Sequence, residues 1–255
     1  MTGACWLRPA AALAAWLIVS AATPHDESLR LYESGKYLDS ASLAATADTA
    51  SSIALAARAT LAHAIYVADP AQRAAGVQRG EELAGKALSI DPDHVEAHLA
   101  LVIALHQKTL ATTPIGAYFR GYATEARSHL KTVLRLDPDN PGAHLLLGGW
   151  HFEIVRLAGP AVAVILFEAE LTDGRAAFAK AIALMPGSIV PRYEFARALL
   201  LNDADTNRTE AAHLLRAALQ ATPTDYLDKM IATRAGALLD AMKTGSSVTL
   251  SRALH

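Results

Sequence analysis

Three segments of this 255-residue chain carry one phrase: GKALSIDPDHVEAHLAL, KTVLRLDPDNPGAHLLLG and KAIALMPGSIVPRYEFA. Each is the end of one helix, a proline turn and the start of the next helix, so the phrase is the punctuation of a helix-turn-helix solenoid. Asp91 and Asp137 precede prolines and are steered away from the α region, which stops the helix before them. Pro92, Pro138, Pro186 and Pro223 mark the four stops. After the turn, Asp93, Asn140 and Ser188 offer side-chain acceptors for the unpaired N–H groups of the next helix, and Pro141 and Pro191 suit a first helical turn.

The helices on either side of these turns share one pattern of apolar and small residues. Gly80, Ala84, Ala87, Leu88 and Ile90 precede Pro92; Ala126, Leu130, Val133, Leu134 and Leu136 stand at the same offsets before Pro138. Gly174, Phe178, Ala181, Ile182 and Leu184, then Ala211, Leu215, Ala218, Leu219 and Ala221, repeat the offsets before Pro186 and Pro223. Beyond the turns, Val102, Gly148 and Ala196 align at a position where helices cross closely, and His98 aligns with His144. Upstream, YESGKYLDSASLAATAD places Gly35, Tyr37, Ser40, Ala44 and Ala47 as a Gly-x-aromatic turn and second helix. On these motifs the chain resembles the tetratricopeptide repeat family. The resemblance implies an all-α solenoid of antiparallel helix pairs, about four to five irregular repeats. Helices are expected near residues 43, 58, 82, 101, 129, 148, 178, 196, 214 and 232.

The spacing is irregular. From Pro92 to Pro138 is 46 residues, from Pro138 to Pro186 48, and from Pro186 to Pro223 37, against about 34 for a standard unit. Since the phrases on both sides keep register, the excess lies between the two helices of a unit, at 108–122 and 157–173, and emerges on one edge of the solenoid. The first insertion breaks at Thr113-Pro114 and holds Ile115, Tyr118, Phe119 and Arg120. The second breaks at Gly159-Pro160 and runs apolar from Ala161 to Phe167, too short to cross a bilayer, which needs about 20 apolar residues. Either the insertions bury these residues between repeats, or they form a lid or wall over a groove.

At the N-terminus, Arg8 is followed by PAAALAAWLIVS and by Ser20-Ala21-Ala22, the layout of a secretory signal peptide over residues 1–22. The mature repeat domain is then 23–243, in the periplasm or another extracytoplasmic space, with an uncleaved membrane anchor as the alternative. Cys5 is the single cysteine, so removal of the segment leaves a chain without thiol chemistry or disulfides. Leu227, Met230, Ile231, Leu238 and Leu239 at helical spacing form a capping helix, and 244–255 is expected to be a frayed tail. With 23 Lys and Arg against 25 Asp and Glu, no basic excess favours nucleic acid as a partner.

Catalytic signatures are wanting, and the chain is expected not to be an enzyme or to use a cofactor. No Gly-rich phosphate loop or Gly-x-Ser-x-Gly elbow occurs. Glu81-Glu82 splay apart on a helix, as do Glu168 and Glu170. His94 and His98 lie four apart and could share zinc, but the motif is not His-Glu-x-x-His and His98 holds a packing position; His144 and His151 read as core histidines, so no metal is expected.

In tetratricopeptide repeats the first helix of each pair lines the concave face. Moving one step round from the packing stripe gives Ile103, His106 and Gln107, then Phe152, Glu153 and Arg156, then Tyr193, Arg197 and Leu200. From these, His106, Gln107, Phe152, Glu153, Arg156, Tyr193 and Arg197 are the candidate groove residues, with Tyr118, Phe119 and Arg120 on the insertion edge. Aromatic and arginine side chains carry binding energy when partly desolvated; alternatively Glu153, Arg156 and Arg197 are paired surface charges of about 0–1 kcal/mol each. The expected role is an exported adaptor that holds a protein or peptide partner. The alternative is an accessory protein that binds a small amphipathic or apolar ligand under 108–122 and 157–173.

Overall fold

The computed structural model describes residues 23–244 and 247–254; the proposed leader, with Cys5, lies outside them. Among the described residues every regular element is helical. Five antiparallel pairs follow one another: α1 (Pro24–Glu33) with α2 (Tyr37–Ala44), α3 (Ala50–Tyr66) with α4 (Pro70–Ile90), α5 (Val95–Leu110) with α7 (Tyr122–Leu136), α8 (Pro141–Ala158) with α10 (Leu171–Leu184), and α11 (Val190–Asn202) with α12 (Ala204–Leu219). The insertions supply α6 (Pro114–Phe119) and α9 (Pro160–Val162), the latter running into a π-helical turn (Ala163–Phe167). α13 (Tyr226–Thr244) and α14 (Ser247–Leu254) close the C-terminal end.

The proline turns act as their chemistry dictates. Asp91 and Asp137 are extended, at φ −134° and −138°, and each ends its helix. Asn140 caps α8, its side-chain oxygen accepting from Ala143 N at 2.9 Å. Ser188 Oγ accepts from Val190 N. Asp93 does not cap α5: it pairs with Arg135, and His94 takes the cap by accepting from Ala97 N through Nδ1.

Packing follows the stripe of small residues. Gly80 and Gly174 hold the same offset from their prolines; a Cβ on the first would lie 2.5 Å from Leu61 Cγ, and one on the second 2.8 Å from the Phe152 ring. Ala126 and Ala211 occupy the equivalent places and are buried. Val102, Gly148 and Ala196 are likewise buried at their common position. The alanine-rich α3 is buried on most sides, between α2, α4 and α5, as suits a helix apolar all round.

Two elements depart from expectation. α1 is a further helix, started by a capping box in which Thr23 and Asp26 satisfy each other's backbone N–H groups. The tail expected to fray instead forms α14, with Leu250 and Leu254 buried against the apolar cluster of α11–α13. Alternating leucines there are too few to reveal a helix until a neighbour's apolar face is in place.

Candidate functional site

The candidate groove residues lie on α5, α8 and α11, the first helices of three successive pairs, and the structure separates them into two groups. His106, Glu153, Arg156 and Arg197 come together. Arg197 pairs with Glu194 one turn earlier at 2.9 Å, and Arg156 Nε donates to Glu153 at 3.0 Å. His106 feels both pairs: burial comes first in lowering its pKa, and Glu153, Arg197, Glu194 and Arg156 all act on it. Tyr66, from the end of α3, is under the same field from Glu194 and Arg197, while Arg234 of α13 stacks over its ring at 5.2 Å. Burial drives the Tyr66 phenol well above its ordinary range, and the facing Glu194 adds to the rise. The neighbouring Glu194 carboxylate holds the Arg197 guanidinium firmly protonated. The result is a half-buried polar core of alternating sign on α5, α8 and α11. Gln107 is half-buried beside His106 on α5.

Phe152 and Tyr193 correct the expectation. Phe152 is 2% exposed and packs T-shaped against Phe178 (5.7 Å) and Phe195 (6.0 Å). It lies one helical turn from Gly148, hence on the same crossing face, which its spacing could have revealed. Tyr193 is 4% exposed and belongs to the apolar cluster that α13 and α14 complete. Neither ring is available as a groove anchor. Tyr66 and Arg234 escaped the sequence reading, because α3 and α13 reach the cluster only through the superhelical path of the chain; Glu194 was overlooked although it stands three residues before Arg197 on α11, the spacing of a helical ion pair.

The insertions do share an edge. Tyr118 of α6 meets Phe167 of the π-helical turn at 6.0 Å and Phe119 at 5.6 Å. They bury their small residues, Ala117, Ala163 and Ala169, and expose large ones: Ile115 72%, Phe119 80%, Ile165 78%. Arg120, exposed, donates to the Tyr122 hydroxyl at 3.1 Å. The apolar insertion residues therefore point outward instead of into a closed cavity.

The histidines are occupied individually. His98 Nε2 donates to the Pro92 carbonyl at 2.9 Å, and His144 Nε2 repeats this on Pro138 one unit later. With that nitrogen a donor, His98 Nδ1 accepts from His129 Nδ1 at 2.8 Å. His94 instead contacts Ser51 and caps α5. His151 Nδ1 accepts from Glu170 N at 3.1 Å. Among the described residues no group of three or more His, Cys, Asp or Glu side chains could hold a metal.

Burial lowers the pKa of His106, His129 and His151, with His98 adding to the effect on His129. An unfolded chain protonates histidine near pH 6.5, so between that pH and the lower folded values the unfolded state binds more protons. Stability is then full above about pH 6.5 and falls as the pH drops below it. Thermal melts at about pH 7.5 and about pH 5.5 are expected to show a lower melting temperature at the acid value; a flat or rising profile would contradict neutral buried histidines.

Helix pairs with small crossing residues, proline stops and a capping helix define a tetratricopeptide-like α-solenoid. The fold is that of TTC0263, a thermophilic tetratricopeptide-repeat protein of Thermus thermophilus, which superposes with a TM-score of 0.61 at 19% identity over 83% of this chain and 96% of that one. Residues 25–243 match the family model described as Regulator of microtubule dynamics protein 1-3, and the chain belongs to that family. No curated protein matches it.

Proposed function

We propose that the chain is an exported, non-enzymatic scaffold that holds a segment of a partner protein against the inner face of its solenoid. A tetratricopeptide-like fold supports protein interaction in general, and the family takes its name from regulators of microtubule dynamics. One observation carries the finer reading: the cluster of His106, Glu153, Arg156, Glu194 and Arg197 around Tyr66. Burying charge is costly unless it is paired, and stacking of helix pairs needs no charge at this place. Paired groups that a partner can re-pair give specificity.

Arg156 and Arg197 are the more accessible members, their side chains 31% and 29% exposed against 12% for Glu153 and 24% for Glu194. Arg156→Lys keeps a cation beside the half-buried Glu153 and removes only the forked guanidinium, so it is expected to fold at close to parental stability yet to weaken capture of the proteins that the parent takes from its native cell fraction. Capture of the same proteins at parental yield would move the binding surface elsewhere. Export is supported by the apolar run before Ser20-Ala21-Ala22. Intact mass of the protein from its cells is expected to start at Thr23; a mass that retains residues 1–22 favours the anchor instead.

A further inference from the structure

Most large apolar side chains exposed among the described residues belong to the two insertions. Scattered exposed leucines need no explanation, but a contiguous patch does. Here Tyr118 bridges Phe119 and Phe167, so Ile115 and Phe119 of α6 join Ile165 and Leu166 of the π-helical turn in one patch. Its outermost members are too exposed, at 72–80%, to line a concavity that could grip a helix or a peptide. They are tips.

The tips are held firmly. Arg127 of α7 donates to the Phe167 carbonyl and pairs with Glu168 at 3.0 Å, while Ala169 N donates to Ala163 O at 3.0 Å. Glu168 turns the chain with φ 52°, a left-handed conformation rare outside glycine. Beside the tips, one face of α7 presents Thr124, Arg127, Ser128 and Lys131, and with Trp150 and residues 165–168 it walls a cleft of about 350 Å³. Glu168 is the one acid there, and it is paired. Lys131 and Arg120 have no carboxylate partner among the described residues. Protruding Phe, Ile and Leu with Tyr and Trp at their base and unpaired cations alongside have the composition of an interfacial membrane anchor. The sequence before Thr23 is compatible with this: its apolar run, on the export reading proposed above, acts as leader or anchor at a membrane.

We infer that the insertion edge is a peripheral membrane-docking surface, with Phe119, Ile115 and Ile165 entering the headgroup–acyl boundary and an anionic phospholipid headgroup seated in the cleft at Lys131. This is independent of the inner-face reading, since no residue is shared.

The test uses the full chain with Cys5→Ser and Phe119→Cys, the new thiol carrying an environment-sensitive fluorophore, and vesicles of phosphatidylcholine alone or mixed equally with phosphatidylglycerol. A second labelled protein, Cys5→Ser with Ser89→Cys, carries the fluorophore at the exposed end of α4. The label at 119 is expected to shift to the blue with vesicles, more strongly with phosphatidylglycerol; the label at 89 is expected not to shift. Soluble glycerol phosphate is expected to produce no shift at either site. Ile165→Asp is expected to remove most of the shift, and Lys131→Gln to weaken the response to phosphatidylglycerol roughly fivefold, the effect of about 1 kcal/mol per basic residue at an anionic surface; circular dichroism checks that both fold. Equal behaviour of the two labels would mean that the N-terminal segment alone binds, and would overturn the proposal. So would absence of a shift at 119, or a vesicle-independent shift that tracks protein concentration and marks the patch as a dimer contact.

Discussion

Phe152→Ala is expected to destabilise the protein by about 3–5 kcal/mol, the range for deleting a fully buried phenylalanine. Its ring is 2% exposed and packs T-shaped against both Phe178 and Phe195, which stack on each other at 4.9 Å. Leu199, fully buried, completes the cluster. These groups come from three helices held apart by their own crossings, so the space left by a missing ring cannot close without moving a helix. Asn202 also ties α11 to the Phe152 carbonyl at 3.2 Å, which keeps the backbone in place while the cavity opens. For a chain of this size the loss corresponds to a fall in melting temperature on the order of 10 °C. The outcome separates two roles. A groove anchor would lose partner capture at unchanged stability, whereas a core ring loses stability first; a cost below about 1 kcal/mol would return Phe152 to the groove.

What the sequence made legible was whatever depends on neighbouring helices only. The proline stops, the small residues at Gly80, Ala126, Gly174 and Ala211, and the common edge of the insertions are all set within one unit or between consecutive units. Such features repeat along the chain, and repetition is readable. The polar cluster was half legible for the same reason. His106, Glu153, Arg156 and Arg197 follow from a register carried from α5 to α11, but Tyr66 and Arg234 meet them across units distant in sequence. That meeting depends on the small rotation added at every repeat, which the two insertions alter. A similar long-range approach sets the Tyr226 ring 2.4 Å from where a Cβ of Gly35 would stand, and Gly35 already needs φ 83° for its turn. Tyr193 was misread for a related reason: its exposure depends on where α13 and α14 dock, and no local pattern states that. The outward-facing insertions were a matter of sign. Apolar composition announced contact with something apolar, and only the burial of Ala117, Ala163 and Ala169 beneath Phe119 and Ile165 showed that the protein's own core was not the partner.

Gly148 and Gly149 are adjacent in α8, and their substitution is expected to have opposite effects. A Cβ on Gly148 would lie 2.8 Å from Phe178 Cγ and Cδ2 and 3.0 Å from Cε2, closer than real contacts allow. Phe178 cannot yield, because it is 1% exposed and stacked on Phe195, so Gly148→Leu forces α8 and α10 apart. Overpacking of this kind costs about 1–3 kcal/mol and sometimes more, and the upper end applies because an aromatic ring wedged between helices meets the new atoms. Around Gly149, by contrast, a Cβ meets nothing within 4 Å. There glycine only adds freedom to the unfolded chain, so Gly149→Ala is expected to stabilise by about 0.5–1 kcal/mol. Urea unfolding of both variants beside the parent measures the contrast, and it tests the register of the solenoid with one pair of neighbouring residues. The same sign for both, or a Gly148→Leu variant as stable as the parent, would mean that α8 is rotated from the orientation described and that the Phe152–Phe178–Phe195 stack is not its packing face.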